Sequence, residues 1–347
     1  MGVPDVSAPA SAAPLADFTT LRLGGRPRRL VTADNTTDII HGVRDTARAE
    51  EPLLILAGGS NVVVDDGGFP GTVLLLRSAG CAFGADGTLT VEAGVPWDEV
   101  VAAAVDARWA GIECLSGIPG SAGATPIQNV GAYGQEVAET VTAVRAYDRV
   151  ADEVVTLSTV DCGFGYRTSV FRYSPRWVVL DVTFRLTRSA TSTPIRYAEL
   201  AGALGVPVGA TAPLADVRKA VLALRAAKGM VLDPADPDTY SAGSFFLNPV
   251  LDAQAYARLD PRPPAWPNPE GSVKVSAAAL IERAGFAKGF TRGGGVAISS
   301  KHTLALTNRG TGTTAALLDL ARVIRAGVHD RFGVLLHPEP VLVNCEI

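Results

Sequence analysis

A glycine-rich segment in the middle of the chain has the composition of a ligand-binding loop. Residues 117–134 read GIPGSAGATPIQNVGAYG and combine five glycines with two prolines, the amides Gln128 and Asn129, and Tyr133. A loop of this length without secondary structure of its own is usually functional. Small residues let the backbone approach a flat ligand and direct N–H groups to phosphates, and amide side chains can bond a ring edge. A surface Ω-loop is the alternative, but it would not require the interleaved apolar residues. We therefore interpret the segment as a ligand cradle.

A shorter glycine motif lies nearer the N-terminus. Residues 58–61 (GGSN) follow an apolar stretch and precede three consecutive valines at 62–64. Because β-branched residues favour strands, the motif predicts a strand–turn–strand loop. A Rossmann fingerprint needs a helix after its glycines, so a dinucleotide would have to be held in another way. The N–H groups of such a loop can converge on an anion, although the motif by itself favours an ordinary β-turn.

Composition narrows the classes of function. The 347 residues are 47% hydrophobic, which is enough for two or three domains with buried cores. The 31 basic and 35 acidic residues are nearly balanced, and no basic cluster is long enough to follow a phosphate backbone, so we expect no nucleic-acid partner. The cysteines and histidines are scattered, without a C-x-x-C pair or a helical ligand spacing. This pattern predicts neither a disulfide framework nor a metal site.

The N-terminal segment does not have the pattern of a targeting signal. Residues 1–16 are rich in Ala, Pro and Ser and lack both a basic start and a continuous apolar stretch, so we expect a disordered tail there. No apolar run in the sequence approaches the roughly 20 residues that cross a bilayer, so we expect no membrane partner. These observations predict a soluble, cytoplasmic protein.

The elements that must position the two loops form two sets. Helical and strand patterns alternate between residues 28 and 186, which favours an α+β or α/β arrangement in that half. Residues 189–211 are rich in Ser, Thr, Pro and Gly, which predicts a linker or a lobe boundary before a second domain. The predicted helices cover residues 35–50, 97–105, 213–227, 276–286 and 314–332, and the predicted strands cover residues 53–57, 62–64, 71–76, 88–93, 177–186 and 341–344.

Five separated motifs, taken together, resemble one known family, the UDP-N-acetylenolpyruvoylglucosamine reductases. The motifs are LAGGSNVVV at 56–64, GIPGSAGATPIQNVGAYG at 117–134, GYRTSVF at 165–171, AGSFFLNP at 242–249 and HPEP at 337–340. The resemblance implies an α+β protein with a vanillyl-alcohol-oxidase-like (PCMH-type) FAD-binding domain of two subdomains over residues 17–188. It further implies a smaller α+β substrate-binding domain over residues 200–347, whose C-terminal end contributes to the active site.

The resemblance also implies a reaction. Members of the family use NADPH to reduce bound FAD, which then reduces the enolpyruvyl ether of UDP-N-acetylglucosamine-enolpyruvate to UDP-N-acetylmuramate for peptidoglycan synthesis. We therefore expect a monomeric enzyme with FAD as cofactor and with NADPH and the UDP-sugar as partners. The residues that the resemblance assigns to FAD are Gly58, Gly59, Ser60, Asn61, Gly117, Ile118, Pro119, Gly120, Ser121, Gly123, Ala124, Gln128, Asn129, Gly131, Ala132, Tyr133 and Gly134.

Three residues match the catalytic positions of the family. The reaction adds a hydride to the terminal carbon of the enolpyruvyl group and a proton to its neighbour, so it needs a positioned acid and groups that hold a carboxylate. Arg167 matches the family's catalytic arginine, Glu339 its catalytic glutamate and Ser244 its proton donor. Taken singly, these residues are equally a surface ion-pair partner, a solvated charge and a turn residue. Their occurrence within the five motifs favours the catalytic interpretation.

Three more residues match the family's nucleotide-binding positions. Tyr197, Lys228 and Asn248 would contact the UDP end of the substrate, because a lysine and an amide suit a diphosphate and a tyrosine can cover a ring or a phosphate. A different flavin oxidase acting on an alcohol would share the glycine loops but would not need these residues together with the catalytic set. A flavin-binding module without catalysis is the other alternative.

We predict that the purified protein is yellow and that its FAD is bound noncovalently, because neither glycine-rich loop contains a histidine to which a flavin could be attached. Precipitation with acid should leave the flavin absorbance in the supernatant. Flavin that remains in the protein pellet would disprove the noncovalent attachment, and a protein that binds no FAD would disprove the fold.

Overall fold

The computed structural model describes residues 13–347 and contains a mixture of helices and short sheets. The α-helices are α1 (Thr36–Arg48), α2 (Trp97–Asp106), α3 (Ala198–Leu204), α4 (Leu214–Ala227), α5 (Ala253–Ala257), α6 (Ala277–Arg283) and α7 (Thr314–Phe332). The strands are β1 (Pro27–Ala33), β2 (Leu53–Leu56), β3 (Val62–Val64), β4 (Phe69–Leu76), β5 (Cys81–Phe83), β6 (Thr88–Glu92), β7 (Trp109–Ala110), β8 (Gly131–Ala132), β9 (Gln135–Glu136), β10 (Val141–Asp148), β11 (Glu153–Ser158), β12 (Trp177–Arg185), β13 (Thr187–Arg188), β14 (Ser241–Ser244), β15 (Val250–Leu251), β16 (Ala265–Pro267), β17 (Val273–Val275), β18 (Val296–Ile298), β19 (Ala305–Asn308) and β20 (Val341–Val343).

Ordered structure begins earlier than the sequence suggested. Leu15–Phe18 form a 3₁₀ turn, and Leu15 is fully buried in an apolar cluster with Leu56 and Val64. The N–H of Leu15 donates to the carbonyl of Gly25 at 2.9 Å. The prediction of a disordered tail is therefore wrong for residues 15 and 16, because one leucine in a polar stretch is enough to anchor it. Residues 1–12 lie outside the described part of the chain.

The first subdomain is a parallel sheet with strand order β1-β4-β2, and α1 connects β1 to β2. Helix α1 begins where the sequence predicts, because the side chain of Asn35 accepts the N–H of Asp38 at 3.0 Å as an N-cap. Its buried Ile39 and Val43 belong to the same apolar cluster as Leu74 of β4. This packing fixes the end of β2, from which the loop at 58–61 departs.

The C-terminal strand returns to this first subdomain. Strand β20 pairs in parallel with β3, with Val341 opposite Val62 and Val343 opposite Val64. The strand–turn–strand prediction for residues 53–64 is confirmed, because β2 ends at Leu56 and β3 begins at Val62. The N–H of Val341 also donates to the carbonyl of Asn61 at 2.9 Å, so the end of the chain is fastened to the shorter glycine loop.

The second subdomain is an antiparallel sheet with strand order β11-β10-β12-β6-β5, covered by α2. Trp97 of α2 is buried and its ring centroid lies 5.5 Å from that of Phe184 on β12. The long glycine loop lies against the same layer, because Ala122 donates to Val95 at 2.9 Å and Gly123 donates to Ala93 at 3.0 Å. The loop is therefore held by main-chain bonds to the end of β6 and the start of α2.

The predicted linker at 189–211 is wrong, because this segment is part of a packed helical layer. Helix α3 lies within it, and buried Ile195 and Leu200 pack with Val217 and Val221 of the helical region that follows and with Cys114 of the first half of the chain. Composition averaged over the segment conceals these few apolar anchors. The residues up to the end of α4 thus share a core with the first half.

The remaining residues form another core, which also includes Leu21, Leu23 and Val63 from the first part of the chain. Strands β14-β19-β18 make one antiparallel sheet and β15-β17-β16 another, with α6 and α7 packed against them. Helix α7 matches its predicted bounds, with the Thr313 hydroxyl accepting the N–H of Ala316 at 3.1 Å and Gly333 ending the helix at a φ of 66°. Within residues 13–347, no helix is both long enough and apolar enough to span a membrane.

We predict that Asp66→Ala lowers the free energy of unfolding by about 1–2 kcal/mol, the usual effect of losing a helix cap. The Asp66 carboxylate accepts the N–H groups of Thr314 at 2.8 Å and Ala315 at 2.9 Å, so it caps α7 from the first subdomain. Urea unfolding followed by circular dichroism measures the change. Asp45→Ala, which removes an exposed carboxylate that pairs with Arg48, is the control and should change little. Equal stability of the two variants would show that the cap contributes nothing.

Candidate active site

The two glycine loops meet and form one wall of a cavity of about 470 Å³. The Asn61 amide donates to Gln128 Oε1 at 3.0 Å, and the Ser60 hydroxyl donates to the carbonyl of Pro119 at 3.1 Å. The approach is so close that a Cβ atom at position 58 would lie 2.7 Å from the Cα atom of Gly120. Position 58 therefore has to be glycine if the two loops are to keep this spacing.

Twelve of the residues predicted to contact the cofactor line this cavity, and five do not. The lining residues are Gly58, Gly59, Ser60, Asn61, Ile118, Pro119, Gly120, Ser121, Gly123, Ala124, Gln128 and Gly131, whereas Gly117, Asn129, Ala132, Tyr133 and Gly134 lie outside it. The side chain of Asn129 is committed elsewhere, because its amide donates to Glu136 at 2.8 Å and to the carbonyl of Gly165 at 3.1 Å. Asn129 thus braces the loop and does not face the cavity.

The cavity has the polar atoms that a flavin nucleotide would need. Ser121 Oγ and Trp97 Nε1 are buried without a hydrogen-bond partner in the protein, and both residues line the cavity. Buried polar groups are normally satisfied, so these two atoms are available for a ligand. Apolar side chains such as Ile118 and Leu56 form much of the remaining wall. The residues present therefore fit a flat ring system that carries polar groups.

Arg167 is held rigidly at the edge of the long glycine loop. Its backbone has a φ of 52°, an uncommon conformation for a non-glycine residue. Its guanidinium donates to the carbonyl of Asn129 at 3.1 Å and to that of Gly131 at 2.7 Å. Its Nε atom lies 3.7 Å from Glu339 Oε1 and its Nη1 atom lies 3.6 Å from Glu136 Oε1. The guanidinium plane is therefore fixed by four oxygen atoms.

Glu339 reaches the same place from the C-terminal end of the chain. Its N–H donates to the carbonyl of Phe245 at 2.9 Å, and its carbonyl accepts from Arg172 at 3.3 Å. Its side chain is 16% exposed. Burial raises the pKa of Glu339 above its usual value, and the nearby cations Arg167 and Arg172 offset this only in part. The Glu339 carboxyl group is therefore protonated more readily than an exposed glutamate.

Ser244 lies at the end of β14 and lines the same cavity. The following Phe245 and Phe246 are buried, with ring centroids 5.1 Å apart. Phe246 also forms a bridge with Pro338, directly before Glu339. The three residues predicted to be catalytic come from separate segments of the chain, and the fold brings all three to one cavity.

The three predicted UDP contacts are not brought together. Asn248 lines the cavity, and its Oδ1 atom accepts the N–H of Ala277 at 2.9 Å at the start of α6. Lys228 and Tyr197 lie outside the lining and surround Tyr133, with the Tyr197 ring 5.5 Å from the Tyr133 ring. Lys228 Nζ is 2.6 Å from Glu199 Oε2. These two residues therefore form a cluster beside the cavity and not part of its wall.

Arg225 and Tyr166 line the cavity, although sequence reasoning gave neither a role. Arg225 donates to the carbonyl of Met230 at 2.9 Å, while its Nε atom is buried without a partner, and burial lowers its pKa. Tyr166 is covered by Lys274, whose Nζ atom lies 4.8 Å from the ring centroid, and burial raises its pKa. Their positions were the available signal: Tyr166 lies within the motif at 165–171, next to Arg167, and Arg225 lies three residues before Lys228.

Metal chemistry has no obvious location in the described part of the chain. Within residues 13–347, no group of three or more His, Cys, Asp or Glu side chains is placed to hold a metal ion. Cys114 and Cys162 are buried, and burial raises their pKa values to about 12 and about 11.

We predict that Gly58→Ala reduces the affinity for FAD by at least about ten-fold, because the new methyl group would separate the two loops and move their N–H groups. Fluorescence titration of the apoprotein with FAD measures the change. Gly202→Ala is a matched control, since a Cβ atom there in α3 meets no atom within 4 Å. Unchanged affinity in Gly58→Ala would show that the contact between the loops does not shape the cofactor site.

Comparison with known proteins agrees with this geometry. Residues 27–158 match the family model described as FAD binding domain, and residues 234–343 match the one described as UDP-N-acetylenolpyruvoylglucosamine reductase, C-terminal domain. The UDP-N-acetylenolpyruvoylglucosamine reductase of Salinispora arenicola is 60% identical over 96% of this chain and 95% of its own length. The enzyme of the same name from Thermobifida fusca is 56% identical over 95% of this chain and 97% of its own length.

A solved structure also resembles the whole chain. The crystal structure of UDP-N-acetylenolpyruvylglucosamine reductase from Thermus caldophilus superimposes with a TM-score of 0.66 at 25% identity, over 95% of this chain and 97% of that one. The predictions of the α+β fold with a PCMH-type FAD-binding domain, of FAD as cofactor with NADPH as co-substrate, and of reductase activity are confirmed. On this evidence the chain belongs to the UDP-N-acetylenolpyruvoylglucosamine reductase family.

Proposed function

We propose that this enzyme reduces the enolpyruvyl ether of UDP-N-acetylglucosamine-enolpyruvate to UDP-N-acetylmuramate, and that Arg167, Glu339 and Ser244 carry the reaction. One observation supports these roles above all. The three side chains come from separate segments of the chain and line one cavity with the two glycine loops. Bound FAD, once reduced by NADPH, supplies the hydride for the terminal carbon of the enolpyruvyl group.

Arg167 holds the carboxylate of the substrate. Negative charge builds up on this carboxylate as the hydride arrives, so a fixed cation beside it is worth more in the transition state than in the ground state. The guanidinium is oriented in advance by the carbonyls of Asn129 and Gly131. It therefore needs little rearrangement when the charge develops.

Glu339 donates a hydrogen bond to the same carboxylate. Burial raises the pKa of Glu339, so this carboxyl group takes up a proton more readily than an exposed glutamate does. Its Oε1 atom lies 3.7 Å from Arg167 Nε, which places it beside the cation that holds the substrate carboxylate. A neutral acid at this point shares the developing charge without repelling the substrate.

Ser244 delivers the proton to the carbon next to the carboxylate. A serine hydroxyl is a weak acid, but a strongly basic carbon held beside it requires only correct placement. The main-chain bond from Glu339 to Phe245 keeps the serine and the glutamate in a constant relation. The buried Phe246 keeps this part of the cavity apolar.

The UDP end of the substrate would lie towards Asn248, Lys228 and Tyr197. Lys228 is now paired with Glu199, so a diphosphate would have to compete with that carboxylate for the ammonium group. Arg225 supplies a further cation whose Nε atom is free of protein partners, which suits a phosphate or a ribose oxygen. We place the enzyme in the cytoplasm as a monomer, where its two small-molecule partners are dissolved.

We predict that Ser244→Ala leaves the reduction of flavin by NADPH nearly normal and slows the reoxidation of reduced flavin by the enolpyruvyl sugar. Only the second half of the cycle needs a proton on carbon, and loss of a general acid costs roughly 10²- to 10⁴-fold. Stopped-flow absorbance of the flavin follows the two halves separately.

Ser244→Cys provides the matched comparison, because a thiol keeps a proton donor in a similar place and should retain more activity than alanine. Equal slowing of both halves in Ser244→Ala would make the serine a structural residue. No slowing of either half would move the role of the acid to another residue, with Glu339 the first to test.

A further inference from the structure

The guanidinium of Arg167 lies between two carboxylates, of which the catalytic proposal uses only one. Glu339 Oε1 is 3.7 Å from Nε on one edge, and Glu136 Oε1 is 3.6 Å from Nη1 on another. The two acids differ in their access to water, since the side chain of Glu136 is 41% exposed and that of Glu339 is 16% exposed. Water therefore stabilises the charged form of Glu136 more than that of Glu339.

Glu136 belongs to the hydrogen-bond network that holds the Arg167 guanidinium. Its Oε2 atom accepts the amide of Asn129 at 2.8 Å, and the carbonyl of the same Asn129 accepts Arg167. Asn129 is itself fixed, because its Oδ1 atom accepts the N–H of Ala138 at 3.1 Å and its backbone has a φ of 46°. The three residues thus form a closed ring of contacts at the long glycine loop, in which Asn129 contributes both its side-chain amide and its main-chain carbonyl.

The packing around this ring is tight. A Cβ atom at position 131 would lie 2.7 Å from Glu136 Cγ and 3.1 Å from Arg167 Nη1. Glycine at this position therefore lets the glutamate and the arginine approach each other over the backbone, while the carbonyl of Gly131 accepts the guanidinium at 2.7 Å. The spacing of these groups is set by main-chain contacts and not by flexible side chains alone.

We propose that Glu136 is a positioning residue for Arg167. It holds the guanidinium against the carbonyls of Asn129 and Gly131. It also offsets part of the positive charge of Arg167, which lets Glu339 keep its proton during catalysis. This inference rests on the roles proposed above for Arg167 and Glu339. Glu136 does not line the cavity, so it acts through Arg167 and not on the substrate.

The sign of the electrostatic effect follows from the charged groups that face Glu339. Arg167 and Arg172 are cations near it, and Tyr166, whose ring is covered by Lys274, lies beside them. The negative charge of Glu136 offsets one cation and repels an ionised Glu339. Its removal leaves the field of the two arginines uncompensated, which favours the ionised form of Glu339 and lowers its pKa. Glu339 would then lose its proton at a lower pH.

The test is the pH dependence of flavin reoxidation in the Glu136→Gln holoenzyme. Glutamine keeps the shape and an oxygen for the Asn129 amide but removes the charge. We expect the rate of reoxidation by the enolpyruvyl sugar to fall on the alkaline side at a pH lower by about half to one unit than in the unaltered enzyme. Reduction of the flavin by NADPH should be unchanged, because it does not need Glu339.

Glu139→Gln is the matched control. Glu139 is 40% exposed and pairs with Arg196 at 2.9 Å, so this variant removes a carboxylate of similar exposure from the same segment without touching Arg167. It should keep the pH profile of the unaltered enzyme. The positioning role would be overturned if the reoxidation rate of Glu136→Gln fell at the same alkaline pH as in the unaltered enzyme. It would also be overturned if Glu139→Gln showed an equal shift in that pH.

Glu136→Asp keeps the experiment decisive if the glutamine variant fails to bind FAD. The shorter side chain withdraws the charge from Arg167 without deleting it, so we expect a smaller shift in the same direction and partial activity. An aspartate variant identical to the unaltered enzyme would overturn the proposal. If the reoxidation rate of the unaltered enzyme did not decrease at alkaline pH, the proposal that Glu339 acts in its protonated form would be wrong. The inference about Glu136 would then be wrong as well.

Discussion

The parallel pairing of β20 with β3 is the contact on which the rest of the site depends. It joins the last strand of the chain to the strand that leaves the shorter glycine loop, and Val341 is bonded directly to Asn61. Glu339 lies two residues before this junction. Without the pairing, the glutamate would keep its main-chain bond to Phe245 but would lose its connection to the shorter glycine loop. A short ladder of main-chain hydrogen bonds therefore connects the segment that carries Glu339 to the shorter glycine loop.

The region around Arg167 is held largely by main-chain atoms, and this explains its unusual backbone. Asn129, Tyr133 and Arg167 all have positive φ values, at 46°, 49° and 52°. Such conformations cost little for asparagine but more for tyrosine and arginine, so surrounding contacts must enforce them. For Arg167 those contacts are two loop carbonyls, two carboxylates and the side chain of Arg172, which donates to its carbonyl. The contacts that position the Arg167 side chain are thus the same contacts that enforce its uncommon backbone conformation.

Local patterns predicted local structure well and tertiary placement less well. The predicted bounds of α7 agree with the structure, in which Gly333 ends the helix and Thr313 caps its start, and both signals lie next to the helix itself. The packed layer around α3 was missed because its anchors, such as Ile195, depend on Cys114 some eighty residues earlier. The same reason explains the site. Motifs placed Arg167, Ser244 and Glu339 on one cavity, but nothing local showed that Lys228 would be paired with Glu199 or that Arg225 would line the wall.

With Glu136 ionised, the charges around Arg167 leave a net positive charge for a substrate carboxylate only when Glu339 is protonated. Arg167 and Arg172 bring two positive charges towards Glu339, and exposed Glu136 contributes one negative charge. With Glu339 neutral, the two arginines and Glu136 together carry one net positive charge, which matches the single carboxylate of an enolpyruvyl group. With Glu339 ionised, the sum would be zero and the incoming carboxylate would meet no net attraction. Under the roles proposed above for Glu339 and Arg167, unequal burial of two chemically identical acids gives the site both a hydrogen-bond donor and an anion-binding charge.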